Sequence, residues 1–184
     1  MNRALTFVFA ATLVAATGSA QEQKQGAKKG PASPPAQTSA VVGGKKISIR
    51  YSAPSMRGRT IFGPNGVVSK DSTYPVWRAG ANAATALTTD ADLDINGLSV
   101  PKGTYSLYVF LDEGKWQLIV NKQTGQSGMD YDQKQDLGRV PMNMSKPPAA
   151  IETYKMTLSS QGGSRGSLQL EWENAVASVP FTAK

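Results

Sequence analysis

The chain has 184 residues, long enough for one domain with a real core, and a formal charge of +7. It contains no cysteine and no histidine, which excludes disulfides, thiol nucleophiles, histidine-based triads and the commonest zinc ligand. Arg3 and residues 21–40 account for +1 and +2 of the charge, leaving +4 for residues 41–184. That excess suits contact with anionic surfaces, but the basic stripe with interleaved aromatics that nucleic-acid binding uses is missing.

Met1–Arg3 is a short positive segment, Ala4–Ala16 an apolar run, and Gly18-Ser19-Ala20 places small residues where a signal peptidase reads. Residues 1–20 are therefore expected to be a signal peptide cleaved near Ala20, giving a secreted or periplasmic protein with no transmembrane segment. Residues 21–44 are rich in Pro, Gly, Lys and Gln and poor in large apolar residues. They are expected to be a disordered linker, either a basic tether to envelope polymers or a plain spacer.

Residues 45–184 are expected to form a single domain. From Lys45 the pattern alternates, with Ile47, Ile49 and Tyr51 on one face and Lys46, Ser48 and Arg50 on the other, a half-buried strand. Tyr51–Thr85 is broken by glycines and prolines and predicts an ordered, elaborated loop surface. A strand is expected over Ala84–Thr89, and Asn96-Gly97 predicts a tight hairpin. Thr104–Leu111 and Lys115–Asn121 predict a second hairpin across Asp112–Gly114, with Trp116, Leu118 and Val120 inward. Residues 122–136 read as a long loop. Pro141 marks Leu137–Met144 as an edge strand. Ile151–Ser159, Arg165–Glu173 and Val176–Phe181 complete the pattern. Many short strands without a long helical period predict an all-β, jelly-roll-like antiparallel β-sandwich with an elaborated N-terminal loop region.

Several motifs stand in a recognisable order: Tyr51-Ser52, Pro54-Ser55, Gly58-Arg59, Ile61-Phe62-Gly63, Val76-Trp77-Arg78, Gly80-Ala81-Asn82, Ala84-Thr85, Gly103-Thr104-Tyr105-Ser106-Leu107 and Trp172-Glu173-Asn174. Over Lys45–Phe181 the chain resembles the bacterial secreted family of domain of unknown function 2911. The resemblance implies an exported all-β protein without an established activity. Three positions depart from the family pattern: Arg50 stands where an acid is usual, Ala53 where an arginine is usual, and Ala83 where a glutamate is usual. Loss of both an arginine and a glutamate leaves no stranded buried charge, which suits a structural role in relatives or a divergent function here.

Arg57, Arg59 and Arg78 are the leading site candidates, because guanidinium forks match carboxylates, phosphates and sulfates. Asn82, Tyr74 and Trp77 complete the candidate ligand-binding set, with Trp77, Tyr74 and Tyr131 read as the aromatics that reach a surface. The competing reading ties the arginines to strand acids such as Asp94, Glu171 or Glu173. Glu171 and Glu173 lie two apart on one strand, read as a solvated face, though paired carboxylates also serve glycosidases. Asp90, Asp92 and Asp94, and likewise Asp130, Asp132 and Asp136, lack EF-hand spacing and read as loop acids. Ser99-x-x-Lys102 falls in a hairpin, the wrong setting for an acyl-serine enzyme. No catalytic residue, metal or cofactor is expected. The expected function is non-catalytic binding of an anionic small molecule, glycan or envelope polymer through Tyr51–Thr85. The alternatives are a carboxylate-dependent, glycan-directed hydrolase and a purely structural envelope protein.

Overall fold

The computed structural model describes residues 32–184. The signal-peptide reading of residues 1–20 lies outside the described residues, as does most of the linker reading. Thirteen strands run through the described part: β1 (Pro35–Val42), β2 (Lys45–Ser52), β3 (Val76–Trp77), β4 (Thr85–Thr89), β5 (Leu93–Ile95), β6 (Leu98–Val100), β7 (Gly103–Phe110), β8 (Gln117–Asn121), β9 (Asp136–Pro141), β10 (Asn143–Ser145), β11 (Ile151–Ser160), β12 (Arg165–Glu173) and β13 (Ala175–Ala183). They form two antiparallel sheets, so the all-β sandwich is as expected. The first sheet has the order β1-β2-β4-β7-β8-β9, with β3 beside β7. The second has the order β11-β12-β13-β5-β6, with β10 beside β13.

Period-two patterning explains the layers. Ile47 and Ile49 of β2, Leu87 of β4, Leu107 and Val109 of β7 and Leu118 and Val120 of β8 point inward and are buried. Across the gap they meet Tyr154, Met156, Leu168, Leu170, Trp172 and Val179. The tight hairpin forms where expected: Asn96 and Gly97 both have positive φ (49° and 93°) between β5 and β6, as its primed turn requires. The second hairpin also forms, pairing Leu107 with Val120 and Val109 with Leu118. Pro141 ends β9 at the edge of the first sheet; the chain then crosses to the second, where Met144 pairs with Ala177.

One boundary is corrected. Residues 35–42, placed in the disordered linker, form β1, which pairs with β2 from Pro35–Ser52 to Val42–Lys45. The sandwich therefore begins at Pro35, not Lys45. β1 has one buried residue, Val42, so its composition carries little signal. It is held by main-chain pairing and by the hydroxyl of Thr38, which accepts the Leu158 N–H at 3.0 Å.

Candidate functional site

The Tyr51–Thr85 stretch wraps one end of the sandwich and is pinned there by acids. Glu173 has positive φ (51°), which breaks the strand alternation and turns its carboxylate into the protein. It is buried and accepts the backbone N–H groups of Ile61 and Phe62, each at 3.0 Å. The Ile61-Phe62-Gly63 and Trp172-Glu173-Asn174 motifs thus meet, so Glu173 is not part of a solvated carboxylate pair. Glu171 lies 3.8 Å from Lys155. Glu152 accepts the Arg57 N–H at 2.8 Å.

The three candidate arginines serve this packing separately. Arg57 donates to the Ala32 carbonyl at 3.3 Å. Arg59 closes its own turn, donating to the Met56 and Ser55 carbonyls at 2.9 Å each. Arg78 pairs with Asp71 at 3.0 Å, both side chains less than a fifth exposed. No hydrogen bond or ion pair links Arg78 to Arg57 or Arg59 among the described residues, so the expectation that they converge on one anion gains no support. The acid beside Arg78 is Asp71 rather than a strand acid.

Trp77 corrects the aromatic reading. It is 1% exposed and cannot present a surface. It stacks on Trp172 at 5.8 Å and meets Tyr154 and Phe62 edge-on at 5.0 and 5.5 Å, an aromatic cluster at the centre of the core. Trp116 and Trp172 are buried as expected. Tyr74 is 45% exposed and does reach the surface. Asn82, in left-handed backbone (φ 61°), is exposed and donates to the Ser52 hydroxyl at 3.4 Å. Tyr131 is half-buried with its hydroxyl engaged.

The outer face of the first sheet holds the open groove. Arg50, Ala86 and Thr104 line its floor, and register sets their places: Gln37, Arg50, Ala86 and Ser106 form one cross-strand row. Ser39, Ser48, Thr88 and Thr104 form the next, with the Thr88 and Thr104 hydroxyls 3.2 Å apart. The segment Thr124–Gln126 walls one side, and Gln126 is fixed there by donating to the Tyr108 hydroxyl at 3.1 Å. The groove encloses about 510 Å³ between Arg50, Tyr51, Ser52, Ala83, Ala84 and that wall. Arg50 is exposed and has no ion pair among the described residues. Sequence reasoning placed Arg50 on the outward face but did not select it. The signal was available: it is the one outward arginine on a strand whose flanking outward positions, Ser48 and Ser52, are small. Two of the three departures from the family pattern, Arg50 and Ala83, line this groove, while the third, Ala53, is buried.

Fold and groove together define a two-sheet antiparallel sandwich with a cationic, hydroxyl-lined depression on one outer face. The family model described as Protein of unknown function (DUF2911) matches residues 33–181, and the chain belongs to that family. No curated protein and no solved structure matches it.

Proposed function

We propose that this is an exported, non-catalytic β-sandwich that binds an anionic or glycan-like ligand in the groove between Arg50 and the Thr124–Gln126 wall. The observation that supports the reading is the Arg50 guanidinium, without an ion pair among the described residues, at the edge of a floor of small hydroxyl and methyl groups. A guanidinium offers a two-pronged donor to a carboxylate, sulfate or phosphate. The neighbouring Ser and Thr hydroxyls both donate and accept, which suits sugar hydroxyls. Export is supported by the residue pattern of the first 20 positions. The Tyr51–Thr85 stretch takes part through Tyr51, Ser52, Ala83 and Ala84, whereas Arg57, Arg59, Arg78 and Trp77 shape the fold beneath it.

The test is melting temperature of wild type and Arg50→Ala with inorganic sulfate, a uronic-acid oligosaccharide and its neutral counterpart. Wild type is expected to be stabilised by the acidic ligands and not by the neutral one, and Arg50→Ala to lose the response. No response in wild type, or an equal response in the variant, overturns the reading.

A further inference from the structure

A second cleft lies apart from the groove, where the pinned Ile61–Ser69 loop meets the β7–β8 turn. It encloses about 210 Å³, and its walls include Phe62, Tyr74, Leu111 and Trp116, with Asp112 and Glu113 at the turn. Tyr74 stands 45% exposed beside it, one of two large hydrophobic side chains so exposed among the described residues. Asp112 and Glu113 are both exposed, and neither forms an ion pair among the described residues. Asp112 uses one oxygen to accept the Glu113 N–H at 2.9 Å, and its other oxygen has no hydrogen bond among the described residues. Lys115, whose N–H donates to the Asp112 carbonyl at 3.0 Å in the same turn, and Lys70, next to the lining residue Ser69, form no ion pair with either acid.

We infer that this cleft binds an organic ammonium group. Aromatic side chains attract a cation through the negative faces of their rings, most strongly within about 6 Å of the centroid. The Asp112 and Glu113 carboxylates, neither held in an ion pair among the described residues, add to that attraction. The apolar walls argue against a bare divalent ion, which seeks six or more oxygen ligands. The cleft is also preformed. Glu173 fixes the backbone of Phe62, and Phe62 packs against Trp116 at a ring separation of 4.7 Å. Ser69 closes its loop onto the Pro64 and Gly66 carbonyls at 3.0 and 2.8 Å. Gly66 sits against the Ile61 and Phe62 backbone, so closely that any side chain there would displace it. A wall held this way loses little freedom on binding.

The test uses choline and its uncharged isostere 3,3-dimethyl-1-butanol, titrated into the full chain by calorimetry, with tryptophan emission reporting on Trp116. Choline is expected to bind saturably and the isostere roughly ten-fold more weakly, as loss of the cation–aromatic and charge attraction implies. Tyr74→Ala and Glu113→Gln, both at exposed positions, are expected to keep the native circular dichroism spectrum and to weaken choline binding. Equal binding of the isostere overturns the assignment. So does choline binding that both variants leave unchanged, absence of choline binding at millimolar concentration, or displacement of choline by glucose, which would mark the cleft as a neutral sugar subsite.

Discussion

The outer face of the first sheet is two different surfaces on one scaffold. On the β7–β9 half, large outward side chains, Tyr108, Phe110 and Ile119, pack with Tyr131 from the 122–135 loop. Polar groups there are paired: Asp136 accepts from Asn121 at 2.9 Å, from the Tyr131 hydroxyl at 2.7 Å and from Arg139 at 3.0 Å. Arg139 also lies over the Phe110 ring at 5.5 Å. On the β1–β4 half the same outward positions carry Ser39, Ser48, Arg50, Ala86 and Thr88, and the two outward cations, Lys46 and Arg50, form no ion pair among the described residues. Strand geometry is common to both halves, so side-chain size decides which half is roofed. Large apolar side chains gain from cover, while small hydroxyls remain hydrated at little expense. The groove lies at the seam between the two, where Gln126 ends the roof.

The largest expected effect falls on the roofed half. Asp136→Ala removes the acceptor shared by Asn121, Tyr131 and Arg139 and leaves the Arg139 charge without its partner. It is expected to destabilise by about 3 kcal/mol in urea unfolding, below the upper range for a fully buried pair because Arg139 retains some solvent contact. A loss under about 1 kcal/mol would mean that the roof is held by apolar packing alone and that the contrast in polar pairing has little energetic content.

Much of this contrast was legible in the residue pattern, and the failures have identifiable causes. Period-two alternation located β2, β11 and β12, which each bury one apolar face, and β7 and β8 stood out as apolar strands that bury both. Asn96-Gly97 located a turn because only such residues accept its backbone readily. β1 was hidden because Pro35–Val42 has small polar residues and is stabilised by its partner strand, a non-local cause. Glu173 was assigned to the solvated face because alternation assumes extended backbone, and its positive φ violates that assumption. Trp77 was misplaced because the short strand β3, with two residues, carries no readable period. The arginines were selected for their charge, and charge alone does not distinguish a residue that binds a ligand from one that ties down a loop.

Arg78 and Arg50 make that distinction measurable. Arg78 pairs with Asp71 in a largely covered setting, and Gly128 packs against its side chain, where a larger residue could not fit. Arg78→Ala is expected to lower stability by about 2 kcal/mol and to leave the wild-type response to sulfate or acidic glycan unchanged. Arg50→Ala is expected to behave in the opposite way, within about 0.5 kcal/mol of wild type in stability, as for most exposed substitutions. Loss of the anion response in Arg78→Ala, with stability intact, would return the site to the Tyr51–Thr85 arginines.

The smallest expected effect compares hydroxyls rather than charges. On the roofed half, Tyr108 accepts from Gln126, and Tyr131 donates to Asp136 while accepting from Arg139. In the core between the sheets, the Tyr154 hydroxyl is buried without a hydrogen-bond partner among the described residues. Burial raises the pKa of all three above the usual tyrosine range; for Tyr131 the hydrogen bond and charge of Asp136 add to the rise, while for Tyr108 the Gln126 bond opposes it. A raised folded-state pKa means that the unfolded chain loses its phenolic protons first. Stability is therefore complete below the unfolded tyrosine value near 10 and declines as pH rises above it. Tyr154→Phe removes an unsatisfied buried hydroxyl while keeping the ring that packs against Trp77 and Tyr51. At pH 7 it is expected to change stability by less than about 1 kcal/mol, in either direction, since no hydrogen bond is lost. Above pH 10 it is expected to lose stability less steeply than wild type, because one of the phenols that titrates only on unfolding is gone. Urea unfolding of both proteins at pH 7, 9 and 10.5 reads this directly. A large loss at pH 7 would reveal a partner for the Tyr154 hydroxyl, and parallel curves above pH 10 would show that Tyr154 ionises as readily in the fold as outside it.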